Sequence, residues 1–278
     1  MDIVRRLIVE ARGVPPGSRR ASIAPGKSLR VGRTSMAEFQ IPDDEALSQE
    51  HWEVEWDGQV CQVRDLGTPT GLFVGGEKKD SAVVRSGAWV RAGKTDFSIF
   101  VEGAAPPAAP LPPDRAVRAD AAFSFLSKPQ DLPLFALLDG ARNDRILSLL
   151  RTSVDDFVSL YDGLRAEVEE DGAPYLVKFS KNSLLLPQLV QEGWGDSWGV
   201  FANADVTLRE LRAHLRRQLV VTREKDDQPM YFRFYDPRVL RSFLPIATPR
   251  QSSAFFGPIS RFVLEDAQGE VTTFNFAG

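Results

Sequence analysis

The sequence predicts a multidomain protein in which an all-β sandwich is followed by a Pro/Ala-rich linker and then by a C-terminal domain of the α/β or α+β class. Residues 3–101 contain many short strand-like runs separated by turn residues, a pattern typical of a sandwich. Residues 103–118 are rich in proline and alanine, which favours an extended polyproline II spacer. Helix-like and strand-like runs alternate in the remainder. We therefore expect three segments, at residues 1–102, 103–129 and 130–278.

The composition argues against several classes of function. The 278 residues carry a net charge of −4, whereas a general nucleic-acid binder normally has a basic excess. Cys61 is the single cysteine and only two histidines are present, so we expect no internal disulfide, no metal site and no cofactor. Because the chain lacks a long apolar run, we expect no signal peptide, no membrane partner and a cytoplasmic location.

The first domain is predicted to consist of short strands. Alternation between apolar and polar residues is clearest in Trp52–Trp56 and Phe97–Val101, and Asp57-Gly58 is a favoured turn for a hairpin. The predicted strands are Ile3–Glu10, Ser28–Val31, His51–Trp56, Val60–Asp65, Val83–Val84, Ala88–Val90 and Asp96–Val101.

Three islands of polar residues fall at breaks between these strands. They are Gly32-Arg33, Ser48-Gln49-Glu50-His51 and Asp65-Leu66-Gly67-Thr68-Pro69-Thr70-Gly71. The fork of donors on an arginine matches phosphate oxygens, and serine and threonine hydroxyls add neutral donors. Loops that bring Arg33, Ser48 and Thr68 together would form an acceptor site for a phosphate group.

The order of these islands, GR followed by SxxH and DLGTxxG, resembles the forkhead-associated (FHA) domain over roughly residues 1–102. The resemblance implies a β-sandwich that recognises phosphothreonine peptides through its loops. It also implies that Arg33 holds phosphate oxygens, that Ser48 and Thr68 add hydroxyl hydrogen bonds, and that His51 supports the loops.

Two positions of the predicted peptide site depart from the family pattern. Gln49 stands where the family usually has a basic residue, and Thr70 stands where it usually has an asparagine that bonds the peptide backbone. Each charge-assisted hydrogen bond contributes about 1.5–3 kcal/mol, so these changes predict weaker binding. Phosphothreonine recognition and phosphate-independent protein docking therefore stay open as alternatives.

The second domain is predicted to alternate helices with strands. Thr207-Leu208-Arg209-Glu210 forms a capping box before a helix with an apolar leucine face, and Asp236-Pro237 has the cap and first residue of another helix. Further predicted helices are Arg142–Leu150, a helix from Ser153 to near Gly163, and Ser183–Glu192; the predicted strands are Leu132–Leu138, Tyr175–Phe179, Trp198–Phe201, Met230–Tyr235, Ile259–Leu264 and Val271–Phe276.

The run Phe232-Arg233-Phe234-Tyr235-Asp236-Pro237-Arg238-Val239-Leu240 resembles the RFYDPRVL signature of the bacterial type VI secretion effector-adaptor (Tap-like) family, also called effector chaperones and first catalogued as a domain of unknown function. Residues 137–141 and 255–258 are similar to the opening and closing elements of that family. The resemblance covers about residues 130–276. It implies a non-enzymatic adaptor whose partners are a secretion effector and a spike (VgrG-like) protein. A phosphothreonine-dependent signalling scaffold is the alternative.

Several side chains of the second domain are candidates for partner contacts. Arg209, Arg212 and Arg216 form a basic stripe opposite the leucine face of their helix. Arg233 and Arg238 flank Asp236, where an internal ion pair is the competing interpretation. Trp194 lies beside a glycine and could be a core residue or an interface anchor.

Two motifs resemble those of enzymes but lie in the wrong context. Residues 88–95 satisfy a loose P-loop pattern, yet a strand-like run follows them, so a sandwich hairpin is predicted. Residues 195–199 satisfy G-x-S-x-G around Ser197, but a helix precedes this motif and a strand follows it, the reverse of a nucleophile elbow. We therefore expect no catalytic residue, and a serine hydrolase remains only as a hypothesis to be tested.

Overall fold

The structure is a computed structural model that describes residues 4–13, 17, 19–129, 131–161, 172–222 and 228–276. The chain divides into two compact units. The first contains Met1–Ala105 and Arg151–Val154, and the second contains Pro106–Leu150 and Asp155–Gly278.

The first unit is a β-sandwich, as the sequence predicts. Its strands are β1 (Leu7–Ala11), β2 (Arg20–Ile23), β3 (Lys27–Gly32), β4 (Phe39–Gln40), β5 (Trp52–Trp56), β6 (Cys61–Asp65), β7 (Leu72–Val74), β8 (Glu77–Lys79), β9 (Ser81–Val84), β10 (Ala88–Ala92) and β11 (Thr95–Val101). One sheet has the order β2-β1-β11-β10-β7-β8 and the other has the order β4-β3-β5-β6-β9. The two indoles of β5 and the Phe97 ring are buried between them, and the Trp52 and Phe97 rings meet edge to face at 5.3 Å.

The second unit is built on one antiparallel sheet. Its elements are α1 (Pro113–Leu126), β12 (Leu134–Asp139), α2 (Arg145–Arg151), β13 (Asp156–Ser159), β14 (Pro174–Lys178), α3 (Leu185–Gly193), β15 (Gly199–Ala204), α4 (Leu208–Arg216), β16 (Val220–Thr222), β17 (Pro229–Tyr231), α5 (Pro237–Phe243), α6 (Pro249–Phe256), β18 (Ile259–Glu265) and β19 (Val271–Asn275). The main sheet has the order β13-β14-β12-β15-β18-β19, and all its pairs are antiparallel. This arrangement decides between the two predicted classes in favour of α+β, because an α/β fold requires parallel strands.

The predicted linker is partly helical, which corrects the expectation of a spacer over residues 103–129. Helix α1 begins at Pro113, where the missing amide hydrogen costs nothing, and continues through an alanine-rich run with high helix propensity. Ala119, Ala122 and Leu126 are buried on one face, and the helix packs along α3. The prediction of an extended spacer was wrong because composition alone does not show that this face of α1 packs against another helix.

The helix predicted from Ser153 is also wrong over the described residues. Residues 156–159 form strand β13, which pairs with β14, and the predicted helix end near Gly163 lies outside the described residues. Asp155 accepts a hydrogen bond from the Ser180 amide at 2.7 Å, which ties the start of β13 to the residues after β14. Phe157 and Val158 favour an extended strand, and pairing with β14 outweighs the local preference for a helix.

Helix α4 confirms the strongest local prediction. The Thr207 hydroxyl accepts a hydrogen bond from the Glu210 amide at 3.2 Å, and the Glu210 carboxylate accepts one from the Thr207 amide at 2.9 Å. Leu211 and Leu215 are fully buried on the predicted apolar face. The cap therefore determines where the helix begins, and the leucines determine which side faces the core.

Replacing Thr207 by alanine should lower the free energy of unfolding of the second unit by about 1 kcal/mol, because the substitution removes the hydroxyl that caps α4. Urea unfolding followed by ellipticity at 222 nm measures this loss. Thr222→Ala is the control, since this exposed threonine lies in strand β16 and caps no helix. Equal destabilisation by both substitutions would contradict a role for the cap.

Candidate functional site

Arg33 directly follows β3 and lies on the loop that the sequence predicts to bind phosphate. Its amide donates to the Ser48 carbonyl at 2.9 Å, and its Nε donates to the Leu47 carbonyl at 3.3 Å. The residue is exposed, and within the described residues its two terminal guanidinium nitrogens make no hydrogen bond. Gly32 makes this approach possible, since a Cβ there would lie 2.1 Å from the Gln49 carbonyl oxygen. Arg33 is thus anchored beside Ser48 with the end of its fork available to a ligand.

His51 joins the Ser48 loop to the Gly71 loop. Its imidazole is fully buried, and Nδ1 accepts a hydrogen bond from the Ser48 amide at 3.0 Å. Nε2 therefore carries the proton, and it lies 3.1 Å from the Gly71 carbonyl oxygen and 3.0 Å from the Thr68 hydroxyl. The predicted supporting role of His51 thus has a specific geometric basis.

Thr68 closes the same network from the third loop. Its hydroxyl donates to Asp65 Oδ1 at 2.6 Å and accepts a hydrogen bond from the Gly71 amide at 3.2 Å. The other Asp65 oxygen accepts hydrogen bonds from the amides of Gly67 and Thr68. Because a hydroxyl has one proton and Asp65 receives it, Thr68 cannot donate to a phosphate in this arrangement. The structure thus gives Thr68 a positioning role, which differs from the predicted phosphate contact.

The two positions that depart from the family pattern are both exposed. The Gln49 side chain is at the surface, while its carbonyl oxygen accepts a hydrogen bond from the Thr34 amide at 3.4 Å. The Thr70 hydroxyl donates to the Ala46 carbonyl at 3.3 Å. The network therefore brings all five predicted residues to one end of the sandwich, where the terminal nitrogens of Arg33 and the Ser48 hydroxyl donate no hydrogen bond within the described residues. Sequence analysis did not foresee the part played by Asp65, although the DLGT motif contains it.

In the second unit, Arg233 and Arg238 each contact a buried carboxylate. Asp139 ends strand β12 and is fully buried, and Arg233 donates a hydrogen bond to its Oδ2. Partial burial by itself would lower the pKa of the Arg233 guanidinium, but the hydrogen bond and charge of Asp139 outweigh this and raise the pKa. The Arg233 side chain remains 45% exposed. Its outer nitrogens can therefore reach a partner while its inner face neutralises Asp139.

Asp236 and Arg238 form a second pair of this kind. Asp236 caps helix α5 by accepting a hydrogen bond from the Arg238 amide at 2.9 Å, as the sequence predicts. The Arg238 guanidinium also contacts both carboxylate oxygens, with Nε donating to Oδ1 at 3.0 Å and Nη2 donating to Oδ2 at 2.6 Å. Burial would raise the pKa of Asp236, but the hydrogen bonds from Arg238 lower it overall. The expected internal ion pair is present, and the Arg238 side chain is still 50% exposed.

The three arginines predicted to form a basic stripe on α4 differ in their exposure. Arg209 is exposed, whereas Arg212 is half-buried and donates to the carbonyl oxygens of Ser159 and Tyr161, both at 2.7 Å. Arg212 therefore ties α4 to the end of strand β13, and this structural use was not predicted. Arg216 is half-buried. Only Arg209 stands fully at the surface.

Trp194 is a core residue, which decides the alternative that the sequence left open and corrects its inclusion among partner contacts. It is 4% exposed, and its indole nitrogen donates to the Gly269 carbonyl at 2.7 Å. A buried indole with its donor satisfied has nothing to offer a partner. Its hydrogen-bond acceptor lies far away in sequence, so no local pattern could have revealed this packing.

The G-x-S-x-G motif places Ser197 beside a buried acid in the part of the chain that the structure describes. Ser197 has a φ of +57° and its hydroxyl donates to the buried Glu265 at 3.2 Å. Burial raises the pKa of Glu265 despite hydrogen bonds from the amides of Gly195 and Ser197. His214 Nε2 lies 2.8 Å from the Phe255 carbonyl oxygen, and burial lowers its pKa. Among the described hydrogen bonds Ser197 is therefore paired with an acid and not with a histidine.

Residues 88–95 form the β10–β11 hairpin, whose turn is held by Asp44 through the Lys94 amide at 2.7 Å. Within the described ranges, no group of His, Cys, Asp and Glu is placed to hold a metal ion. The helices of those ranges are also too short or too polar to cross a bilayer.

Thr68→Val should lower the free energy of unfolding of the first unit by about 1–3 kcal/mol, because buried partners of the hydroxyl lose their hydrogen bonds. Thr68→Ser is the matched control and should stay close to the parent protein. Urea unfolding followed by tryptophan fluorescence measures the difference, while the 222 nm transition of the second unit should not move. A valine variant as stable as the serine variant would contradict the positioning role.

Comparison with known proteins agrees with this two-part organisation. A family model for the FHA domain matches residues 29–93, and one for a domain of unknown function, DUF4123, matches residues 134–254. The FHA domain of the CT664 protein from Chlamydia trachomatis is 20% identical and covers 34% of this chain and 96% of its own, with a TM-score of 0.32. The FHA domain of an Arabidopsis thaliana hypothetical protein is 23% identical and covers 38% and 92%, with a TM-score of 0.32.

A third solved structure is the FhaA FHA domain complexed with the intracellular domain of Rv3910, which is 28% identical and covers 34% of this chain and 98% of its own, with a TM-score of 0.30. The comparison with curated proteins gave no match. The chain thus carries an FHA domain followed by a domain that matches DUF4123, a family described as a domain of unknown function.

Proposed function

We propose that this protein is a non-enzymatic adaptor of bacterial type VI secretion, which binds a cognate effector through its DUF4123 domain and helps to load it onto a spike protein of the VgrG type. The FHA domain recognises a second protein, and its ligand is a phosphothreonine segment. The observation that carries the proposal is the union, in one chain, of a DUF4123 domain with an FHA domain that keeps an exposed Arg33 fork beside Ser48.

Charge supports effector binding by the second unit. Arg233 and Arg238 rest on buried acids, yet about half of each side chain is exposed. Arg209 adds an exposed cation on α4. Exposed guanidinium groups favour an acidic partner surface, and they set specificity and association rate more than total affinity.

Hydrogen-bonding capacity supports phosphate recognition by the first unit. Arg33 is already held by two bonds to the Ser48 loop, so binding need not order its whole side chain. The Ser48 hydroxyl stands on the same loop and adds a neutral donor. The exposed Gln49 offers an amide but no charge. Such a site suits a single phosphate group with modest affinity.

Phosphothreonine peptides should bind the full chain, and Arg33→Ala should weaken binding by roughly 10-fold or more, since one charge-assisted hydrogen bond contributes about 1.5–3 kcal/mol. Titration by fluorescence anisotropy with a degenerate phosphothreonine library measures this. The unphosphorylated library is the ligand control, and Arg19→Ala removes a cation outside the site. Failure of every phosphopeptide to bind would leave phosphate-independent docking as the function of this domain.

The effector candidate encoded by the neighbouring gene should co-purify with the full chain, and Arg209→Glu should weaken that complex several-fold by reversing an exposed charge. Arg250→Glu is the matched control, because Arg250 is also exposed on a helix of the second unit. Calorimetry on the purified pair gives both affinities. Recovery of neither the effector nor a spike protein by the parent chain would overturn the adaptor proposal and favour the phosphothreonine-dependent signalling scaffold.

A further inference from the structure

The two edges of the main sheet in the second unit differ in their protection. At the β13 edge, the Arg212 guanidinium donates to the Ser159 and Tyr161 carbonyl oxygens, both at 2.7 Å, so a side chain covers the end of that strand. At the opposite edge, β19 follows β18 and closes the strand order. An unprotected edge is a template for another strand.

Along β19, residues that bond to β18 alternate with residues that do not, and this alternation shows which backbone groups face away from the sheet. Asp266 donates its amide to the Glu270 carbonyl, and Phe276 donates its amide to the Ser260 carbonyl. The register between β18 and β19 is continuous, so Thr272 and Phe274 also bond inward. Val271, Thr273 and Asn275 therefore turn their N–H and C=O groups away from the sheet. Within the described residues no hydrogen bond is made to these outward groups.

Strand β19 lacks the charged residues and prolines that usually prevent an edge strand from pairing with another chain. Strand β8, at an edge of the first unit, reads Glu77-Lys78-Lys79, and such charges prevent pairing with other chains. Strand β19 reads Val-Thr-Thr-Phe-Asn and contains no charge and no proline. Thr273 and Asn275 are exposed. The strand has high β-propensity and an open ladder, which is the arrangement needed to accept a strand from outside.

A small polar pocket adjoins the end of this edge. It has a volume of about 220 Å³ and is lined by Asp131, Leu132, Asn203, Ser260, Arg261 and Asn275. Asn275 thus belongs both to the outward ladder and to the pocket. A strand paired with β19 would place alternate side chains on the face of the pocket, where a polar one finds hydrogen-bonding groups.

We infer that β19 is a β-augmentation site, at which an extended segment of the effector adds a seventh strand to the sheet and inserts a polar side chain into the pocket beside Asn275. This inference rests on the proposed adaptor function and names how the partner is held. Three residues that each offer one donor and one acceptor give the added strand its main-chain hydrogen bonds. The pocket selects among segments of similar backbone conformation.

Thr273→Pro tests the ladder, because it removes an outward N–H and no bond to β18, and edge strands tolerate proline at such positions. The probe is the neighbour-encoded effector candidate, and calorimetry with the full chain should show a loss of affinity of about 10-fold or more. Thr273→Val, which keeps the N–H and the strand propensity, should bind within about 2-fold of the parent chain. Circular dichroism checks that each variant is folded.

Hydrogen exchange on the unmodified pair provides a test that requires no variant. The amides of Val271, Thr273 and Asn275 should exchange rapidly in the free chain and become protected in the complex, while those of Thr272 and Phe274 stay protected in both. Binding with no gain in protection, or with Thr273→Pro as tight as the parent, overturns this inference alone. Absence of any complex overturns the adaptor proposal as well. Concentration-dependent protection in the chain by itself shows a second copy at the edge and also overturns the inference.

Discussion

The first unit depends on the hydrogen bonds of one buried imidazole. His51 accepts from the Ser48 amide and donates toward Gly71 and Thr68, so a single rigid ring fixes the separation of two loops. Loops at the end of a sandwich have little apolar contact of their own, and their conformation must come from such polar links. The Arg33 guanidinium inherits its position from this network, because its two anchoring carbonyl oxygens belong to the loop that His51 holds. The buried His51 side chain thus preorganises the surface loops that carry Arg33.

Buried acids perform the corresponding task in the second unit, with a different consequence. A carboxylate such as Asp139 loses its hydration on folding, and a guanidinium contact offsets that cost only while the pair is intact. Arg233 therefore stabilises the fold by contacting Asp139, while part of its side chain remains at the surface. Removing it would leave an uncompensated buried charge and destabilise the unit by about 3–5 kcal/mol. Loss of partner binding in an Arg233 variant would by itself say little about contact, whereas Arg209, which carries no such structural duty, reports on the surface directly.

Sequence predicted those features whose partners lie close along the chain. The Thr207–Glu210 capping box and the Asp236 cap could be foreseen because donor and acceptor are separated by two or three residues. The sandwich was foreseeable for a related reason, since strand alternation and hairpin turns are local. The helix predicted from Ser153 was wrong because residues 156–159 pair with β14, whose residues 174–178 lie further along the chain. Thr68 combines both cases. Its hydroxyl donates to Asp65, which is close along the chain, and also contacts His51, which is distant along the chain.

The phosphate site and the β19 edge solve different parts of the recognition problem. Of the residues predicted to contact phosphate, Arg33 alone carries a charge, so the first unit can contribute only a modest free energy from the phosphate itself. Backbone pairing at β19 is insensitive to most side chains of the added strand, so it contributes binding energy with little selectivity. If the second protein recognised by the FHA domain is joined to the effector, engagement of one site raises the effective concentration at the other to about the millimolar range. A phosphate contact too weak to act alone then decides whether an already tethered partner stays bound.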